Sequence, residues 1–269
     1  MNLGICTMAS SSKGNCCLIK SDSTCVLLDA GFPAGKTAED LGILGLKFRD
    51  IDAVLLTHEH TDHIRSAAAI RSRAQNAPFI ATKGTADRVR AGGDRFSEDM
   101  FRTVSAGETF TIGDIHITAV ETSHDASEPV AYIFSRNGKK ISVVTDTGVM
   151  TPELTCAVSD SDILVIEANH EENILLYGKY PYSVKRRILS DRGHLSNEAA
   201  GYCIRDMIKT MKSPKIPYVI LAHLSRENNT PQQAILTVRN ILEEAGLYVG
   251  RHLRLEVADP EEMGNFVAV

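Results

Sequence analysis

Four apolar runs in this 269-residue chain stop on a side chain that can bind a metal ion. Residues 26–28 are followed by Asp29, 54–56 by Thr57 and His58, 143–144 by Thr145 and Asp146, and 219–222 by His223. His124 comes shortly after a fifth run, 115–120. A short apolar run that ends in turn-forming and polar residues reads as a buried strand opening into a loop. If these strands share a rim, five chelating groups converge where loops are free to vary and the scaffold is rigid.

The densest of these strand ends is His58-Glu59-His60-Thr61-Asp62-His63, directly after the apolar run 51–56. The chain has nine histidines, so three within six residues is a cluster and not scatter. In extended backbone His58 and His60 point to the same side. Asp62 and His63 follow at a predicted helix start. With His124, Asp146 and His223 the candidate ligands number seven, whereas a single catalytic zinc takes about three protein ligands. Seven fit two ions sharing a bridging carboxylate. Nitrogen and oxygen donors suit zinc, manganese or iron alike. The pattern points to metal-assisted hydrolysis.

Composition narrows the setting. Hydrophobic residues make up 43% and charged residues 23%, ordinary values for a globular protein with a sizeable core. No apolar run approaches the roughly 18 residues that span a bilayer, and residues 1–20 lack the basic-then-apolar order of a signal peptide. The expectation is a cytoplasmic protein without a membrane partner. The six cysteines form no repeated CxxC pattern, so they are expected to stay reduced. A net charge of −5 argues against coating nucleic acid through the overall field. It leaves room for a local patch. Lys179, Lys185, Arg186, Arg187 and Arg192 lie among Tyr177, Tyr180 and Tyr182, a mixture that can follow a phosphate backbone and stack on bases.

Strands are predicted near 3–7, 16–20, 25–29, 110–112, 115–120, 130–135, 141–144, 163–166, 218–222 and 251–257, and helices over 34–44, 63–74 and 83–90. A further helix starts at Thr230-Pro231-Gln232-Gln233, with threonine as cap, proline at the first position and Gln233 completing a capping box. Two strand blocks, each with helices, suit a four-layer α/β arrangement. No flexible polar linker divides the chain, so residues 1–269 are read as one domain.

The segment 58–63 matches the HxHxDH motif and resembles the metallo-β-lactamase fold, with Asp29, His124, Asp146 and His223 in the order of that superfamily's other motifs. The resemblance implies an αββα sandwich with a binuclear centre. His58, His60 and His124 would hold one metal, and Asp62, His63 and His223 the other. Asp146 would bridge, and Asp29 would orient a ligand. Ser66 stands where many members have glycine. A finer resemblance is to the YycJ/WalJ-like branch, carried by Ser10-Ser11-Ser12-Lys13-Gly14-Asn15, Leu28-Asp29-Ala30-Gly31, Glu167-Ala168-Asn169-His170, Gly193-His194-Leu195-Ser196-Asn197 and Leu221-Ala222-His223-Leu224-Ser225. Gly193-His194-Leu195-Ser196 is also similar to a segment of the ribonuclease Z family, which implies that His194 protonates the leaving group.

The implied activity is that of a two-metal phosphodiesterase, a 5′-to-3′ DNA exonuclease. Its nucleophile would be a hydroxide formed as the pKa of metal-bound water drops from 15.7 to about 7. Asp62 and Asp146 would join His194 in catalysis. Ser11, Ser12, His170, Lys185, Arg186, Arg187, Ser196 and Asn228 are candidate contacts to DNA. No obligate protein partner is evident. A β-CASP insertion between Asp146 and His223 is not expected, because these residues lie only 77 positions apart. Two other readings use the same residues: a hydrolase of a small ester, thioester or cyclic nucleotide, and a metal-dependent binding protein without turnover.

Overall fold

The structure is a computed structural model that describes residues 3–92, 96, 100–212 and 214–269. It divides into two compact units. The first comprises Met1–Glu121, Ala126–Lys139 and Asp259–Val269, and the second Thr122–Asp125 and Lys140–Ala258.

Elements are numbered in chain order. In the first unit, β1 (Gly4–Ser11), β2 (Gly14–Lys20) and β3 (Cys25–Leu28) form an antiparallel meander. From β3 the pairing turns parallel, through β4 (Ala53–Leu55) and β5 (Phe79–Thr82) to β6 (Phe101–Val104). The last strand of the chain, β14 (Val267–Ala268), pairs with β1 and completes a seven-stranded sheet. Strands β3, β4 and β5 are buried along their whole length, which explains their unbroken apolar sequences: a strand covered on both faces has no solvent side to alternate with. Each fully buried Leu, Ile or Phe contributes about 1.5–3 kcal/mol of transfer free energy. The same unit holds α1 (Ala34–Ile43), α4 (Lys83–Ala91) and the antiparallel strands β7 (Thr109–Ile112), β8 (Ile115–Glu121) and β9 (Val130–Arg136).

One departure from the sequence reading bears on function. In place of a single helix over 63–74 there are two short ones, α2 (Thr61–Ile64) and α3 (Ala67–Arg73). The backbone at the break is used elsewhere. Ala30 N–H donates to the His63 carbonyl, and Ser66 N–H donates to the Ala30 carbonyl, both at 2.8 Å. The residues after β3 therefore interrupt the helical ladder and fasten the histidine-rich turn to the end of that strand.

In the second unit, β10 (Lys139–Val144), β11 (Ile163–Glu167), β12 (Tyr218–Ala222) and β13 (Arg254–Val257) pair in parallel. Helices α5 (Pro152–Val158), α6 (Glu172–Tyr177), α7 (Tyr182–Ile188), α8 (Asn197–Lys209) and α9 (Pro231–Glu244) connect or flank them. The α9 cap is half of what its sequence suggests. Thr230 Oγ1 accepts from Gln233 N–H at 3.1 Å, but the Gln233 amide turns to Thr237 Oγ1 and the Thr230 N–H donates to Asn229 Oδ1. A neighbouring asparagine has taken the place of the reciprocal bond. Elements of the second unit fill the stretch between Asp146 and His223.

Candidate metal centre

In the first unit, Asp29 sits one residue past β3 with φ 62°, a left-handed conformation that Asp tolerates better than most residues. Its N–H donates to the Leu55 carbonyl, and the carboxylate is 4% exposed. Oδ1 accepts from the Thr57 N–H at 2.9 Å, and Oδ2 lies 2.7 Å from His63 Nδ1. A carboxylate can only accept, so the Nδ1 of His63 carries the proton and Nε2 presents its lone pair. Thr57 Oγ1 is 3.0 Å from Asp29 and 3.0 Å from His58 Nδ1, so a second relay runs from His58 through the hydroxyl to the same carboxylate. The His60 ring stands edge-on to His58 at 4.6 Å between centroids. Asp62 Oδ2 is 3.6 Å from His63 Nε2, and Asn15 Nδ2 reaches both, at 3.3 and 3.0 Å. Gly31 cannot be replaced here: a Cβ would stand 1.6 Å from the Asp62 carbonyl oxygen. Its neighbour Ala30 supplies the two backbone bonds that break the helix, so the Leu28-Asp29-Ala30-Gly31 stretch acts as a strap under the histidine-rich turn.

In the second unit, Asp146 and His223 follow β10 and β12, again in the left-handed region, at φ 56° and 55°. Between them, at the end of β11, lies Glu167, fully buried. Its Oε1 is 2.8 Å from His194 Nδ1 and 2.8 Å from His223 Nδ1, and Oε2 accepts the N–H groups of Thr147 and Leu195. Burial works against the charged form of Glu167, but the His194 charge and the two histidine hydrogen bonds outweigh it and bring the pKa down to about 2. Oxygen and nitrogen atoms of Asp146, Glu167, His194 and His223 all fall within 4.8 Å of one another. His124 donates through Nδ1 to the Gly193 carbonyl at 2.9 Å, and its Nε2 is 3.8 Å from Asp146 Oδ1. A carbonyl oxygen only accepts, so Nδ1 again holds the proton. Burial lowers the His124 pKa despite Asp146, which favours the neutral ring a metal needs. For His194 burial also acts downward, but the Glu167 carboxylate and its hydrogen bond, with Asp146, raise the pKa overall and favour the imidazolium.

These donors fit divalent metal ions. His58, His63, His124 and His223 each have Nδ1 engaged by a protein group, the arrangement by which ligating imidazoles are commonly oriented, and carboxylate oxygens stand beside them. Glu167 and Thr57 escaped the sequence reading as orienting groups. Glu167 ends an apolar run just as Asp29 and Asp146 follow theirs, and that was the available signal.

The residues expected to contact DNA are placed variously. Ser12 is exposed in the turn between β1 and β2, whereas the Ser11 hydroxyl is buried on the Pro260 carbonyl. Ser196 caps α8 by accepting the Ala199 N–H, and Asn228 is buried against Ser225. His170 is buried, neither ring nitrogen has a hydrogen-bond partner among the described residues, and burial drives its pKa down to about 4. Lys185 Nζ binds the carbonyls of Leu176 and Gly178, Arg187 forks onto Asp125, and Arg192 binds the His124 carbonyl. Arg186 lies over the Tyr182 ring at 5.9 Å.

A family profile described as a beta-lactamase superfamily domain matches residues 24–223. The chain is 35% identical over 262 residues to the exodeoxyribonuclease YycJ of Bacillus anthracis, covering 97% of each chain. It is 34% identical to the exodeoxyribonuclease WalJ of Streptococcus pneumoniae, covering 94% of this chain and 93% of that one. Among solved structures, the metallo-beta-lactamase fold protein YhfI from Bacillus subtilis superposes with a TM-score of 0.71 at 13% identity, over 98% of this chain and 99% of that one. That likeness shows the fold, and it is the four-layer α/β class expected from the sequence. The chain is a metallo-β-lactamase-fold hydrolase of the YycJ/WalJ-like branch.

Proposed function

We propose that the protein is a DNA exonuclease working in the 5′-to-3′ direction, a single hydrolase domain over residues 1–269 that uses two metal ions. The observation that carries this reading is the 35% identity to an exodeoxyribonuclease along 97% of both chains. The oriented imidazoles support it. His58, His60 and His124 would hold one ion and Asp62, His63 and His223 the second, with Asp146 shared between them. Zinc, manganese or iron ions would supply a nucleophile at neutral pH and neutralise charge on the phosphate. The chain's own residues do the rest. Asp29 and Glu167 fix which nitrogen of each ring faces the centre. His194, with Nδ1 on Glu167 and 18% of its side chain exposed, offers Nε2–H to the leaving oxygen.

A second reading, hydrolysis of a small ester, thioester or cyclic nucleotide, is favoured by one observation: Lys185, Arg187 and Arg192 are engaged within the protein. One assay separates the two. Metal-supplemented enzyme is given duplex DNA labelled at the 5′ or 3′ end, RNA, and a panel of small esters and phosphodiesters. Progressive release of the 5′ label from DNA is expected. Turnover confined to the small substrates would replace the nuclease reading.

A further inference from the structure

The basic stretch around α7 looks like a track for a polyanion, yet two of its arginines grip a single loop. Arg192 directs Nε and Nη2 onto the backbone carbonyl of His124, at 3.2 and 3.0 Å. Arg187 directs Nε and Nη2 onto the two carboxylate oxygens of Asp125, at 2.5 and 3.1 Å. Directly after Arg192 in sequence, Gly193 offers the carbonyl that holds His124 Nδ1. Three contacts therefore run from one segment, 187–193, to two consecutive residues, 124 and 125.

We infer that Arg187 and Arg192 are positioning residues for His124, forming a clasp that sets the ring's orientation, and are not contacts to substrate. This inference rests on the proposal that His124 is a metal ligand. Its reasoning starts from how the histidines are held. His63 and His223 lean on buried carboxylates, Asp29 and Glu167, that end strands of the sheets. His124 lies on a loop and leans on a backbone carbonyl from a turn 69 residues away. Its orientation is only as good as the register between loop and turn. The turn itself is tightly defined: Gly193 N–H donates to Ser190, His194 N–H donates to Ile188, and a Cβ on Gly193 would stand 2.1 Å from the Ile188 oxygen. What remains is to lock the loop to it, and the two guanidinium forks do so. The Arg187–Asp125 ion pair is partly exposed and screened by solvent, so its worth is geometric more than energetic. The clasp also couples two functions, because the residue after Gly193 is His194.

The test uses full-length Arg192→Ala, Arg187→Ala, Asp125→Ala and Arg192→Lys proteins. Metal affinity is measured by competition for zinc or manganese with a chromophoric chelator. Hydrolysis of bis(p-nitrophenyl) phosphate and of labelled DNA is followed across a salt series. A clasp predicts roughly 10-fold weaker metal retention in Arg192→Ala, the size typical for partners that orient a ligand, with kcat falling on both substrates and the salt dependence for DNA unchanged. Arg192→Lys does not rescue, since one ammonium cannot reproduce the fork. The Asp125→Ala variant gives opposite signs for DNA under the two ideas: binding tightens by freeing a cation if Arg187 meets phosphate, and it weakens if Arg187 is a clasp. Because Asp125 Oδ1 also lies 3.4 Å from His124 Nε2, the metal readout of the clasp is taken from Arg187→Ala, which leaves that carboxylate in place. Unchanged metal affinity, with a rise in KM for DNA alone and a salt slope smaller by about 1, overturns the inference. If Arg192→Ala fails to fold, the Asp125→Ala and Arg187→Ala pair decides, their effects on metal affinity being non-additive in a clasp and independent otherwise. Absence of DNA cleavage by the parent protein, with its metal binding intact, strikes the nuclease reading and leaves the clasp standing.

Discussion

The two units hold their candidate ligands by opposite strategies. In the first, His58, His60, Asp62 and His63 come from one turn of six residues, and a single aspartate at a strand end disciplines two of the rings, one directly and one through Thr57. In the second, His124, Asp146 and His223, with the candidate acid His194, come from four separate segments, and Glu167 binds two rings and two backbone N–H groups at once. A local cluster needs one strap. A dispersed cluster needs a hub, and the hub is the more vulnerable part.

The comparison can be broken by measurement. Chelation should abolish hydrolysis altogether, and a divalent metal should restore it; activity that survives exhaustive chelation removes the basis for comparing ligand sets at all. Next in size is Glu167→Gln. Every orientation of the amide turns an NH2 group toward N–H donors, so two of the four contacts are lost whichever way it sits. A fall in kcat of at least about 100-fold and weaker metal retention are expected. Asp29→Asn should cost less, about 10-fold, because the ligand turn keeps its backbone bonds to Ala30. If the two variants lose equal amounts in steady-state assays, the distinction between hub and strap fails.

The smallest effect is expected at Asp114, in the first unit, which binds Ser21, Thr24 and Arg136. Partial burial opposes its charge, but the Ser21 and Thr24 hydroxyls and then Arg136 hold the carboxyl well below the usual range. A depressed folded-state pKa contributes stability above the unfolded value of about 3.9 and loses it as pH falls through and below that value. Asp114→Asn should therefore lower Tm by a few degrees at pH 7, about 1 kcal/mol, and by much less near pH 2, with metal retention unaltered. Differential scanning calorimetry at the two pH values checks it.

Much of this was legible in the sequence because the informative residues mark strand ends. Runs at 26–28, 143–144 and 219–222 are strands, and Asp29, Asp146 and His223 follow them as expected. The strands β5 and β6 were not foreseen: four residues carry little period, and β5 is defined by its pairing with β4. The break between α2 and α3 was hidden because its cause, Ala30, lies more than thirty positions upstream. Glu167 carries no legible role within Glu167-Ala168-Asn169-His170, since nothing local says that two distant histidines will share its oxygen. The basic stretch misled for the same reason. Charge can be read from composition, but the partner of each charge cannot.

The left-handed backbone at Asp29, Asp146 and His223 carries a practical lesson for anyone building inactive forms of this enzyme. At these three places one residue sets both the chain's path and its proposed chemistry, so a valine or isoleucine would distort the path while removing the candidate functional group. Asparagine or glycine keeps the path and deletes only the chemistry. Asp146→Asn is thus the variant of choice for capturing an uncleaved ligand.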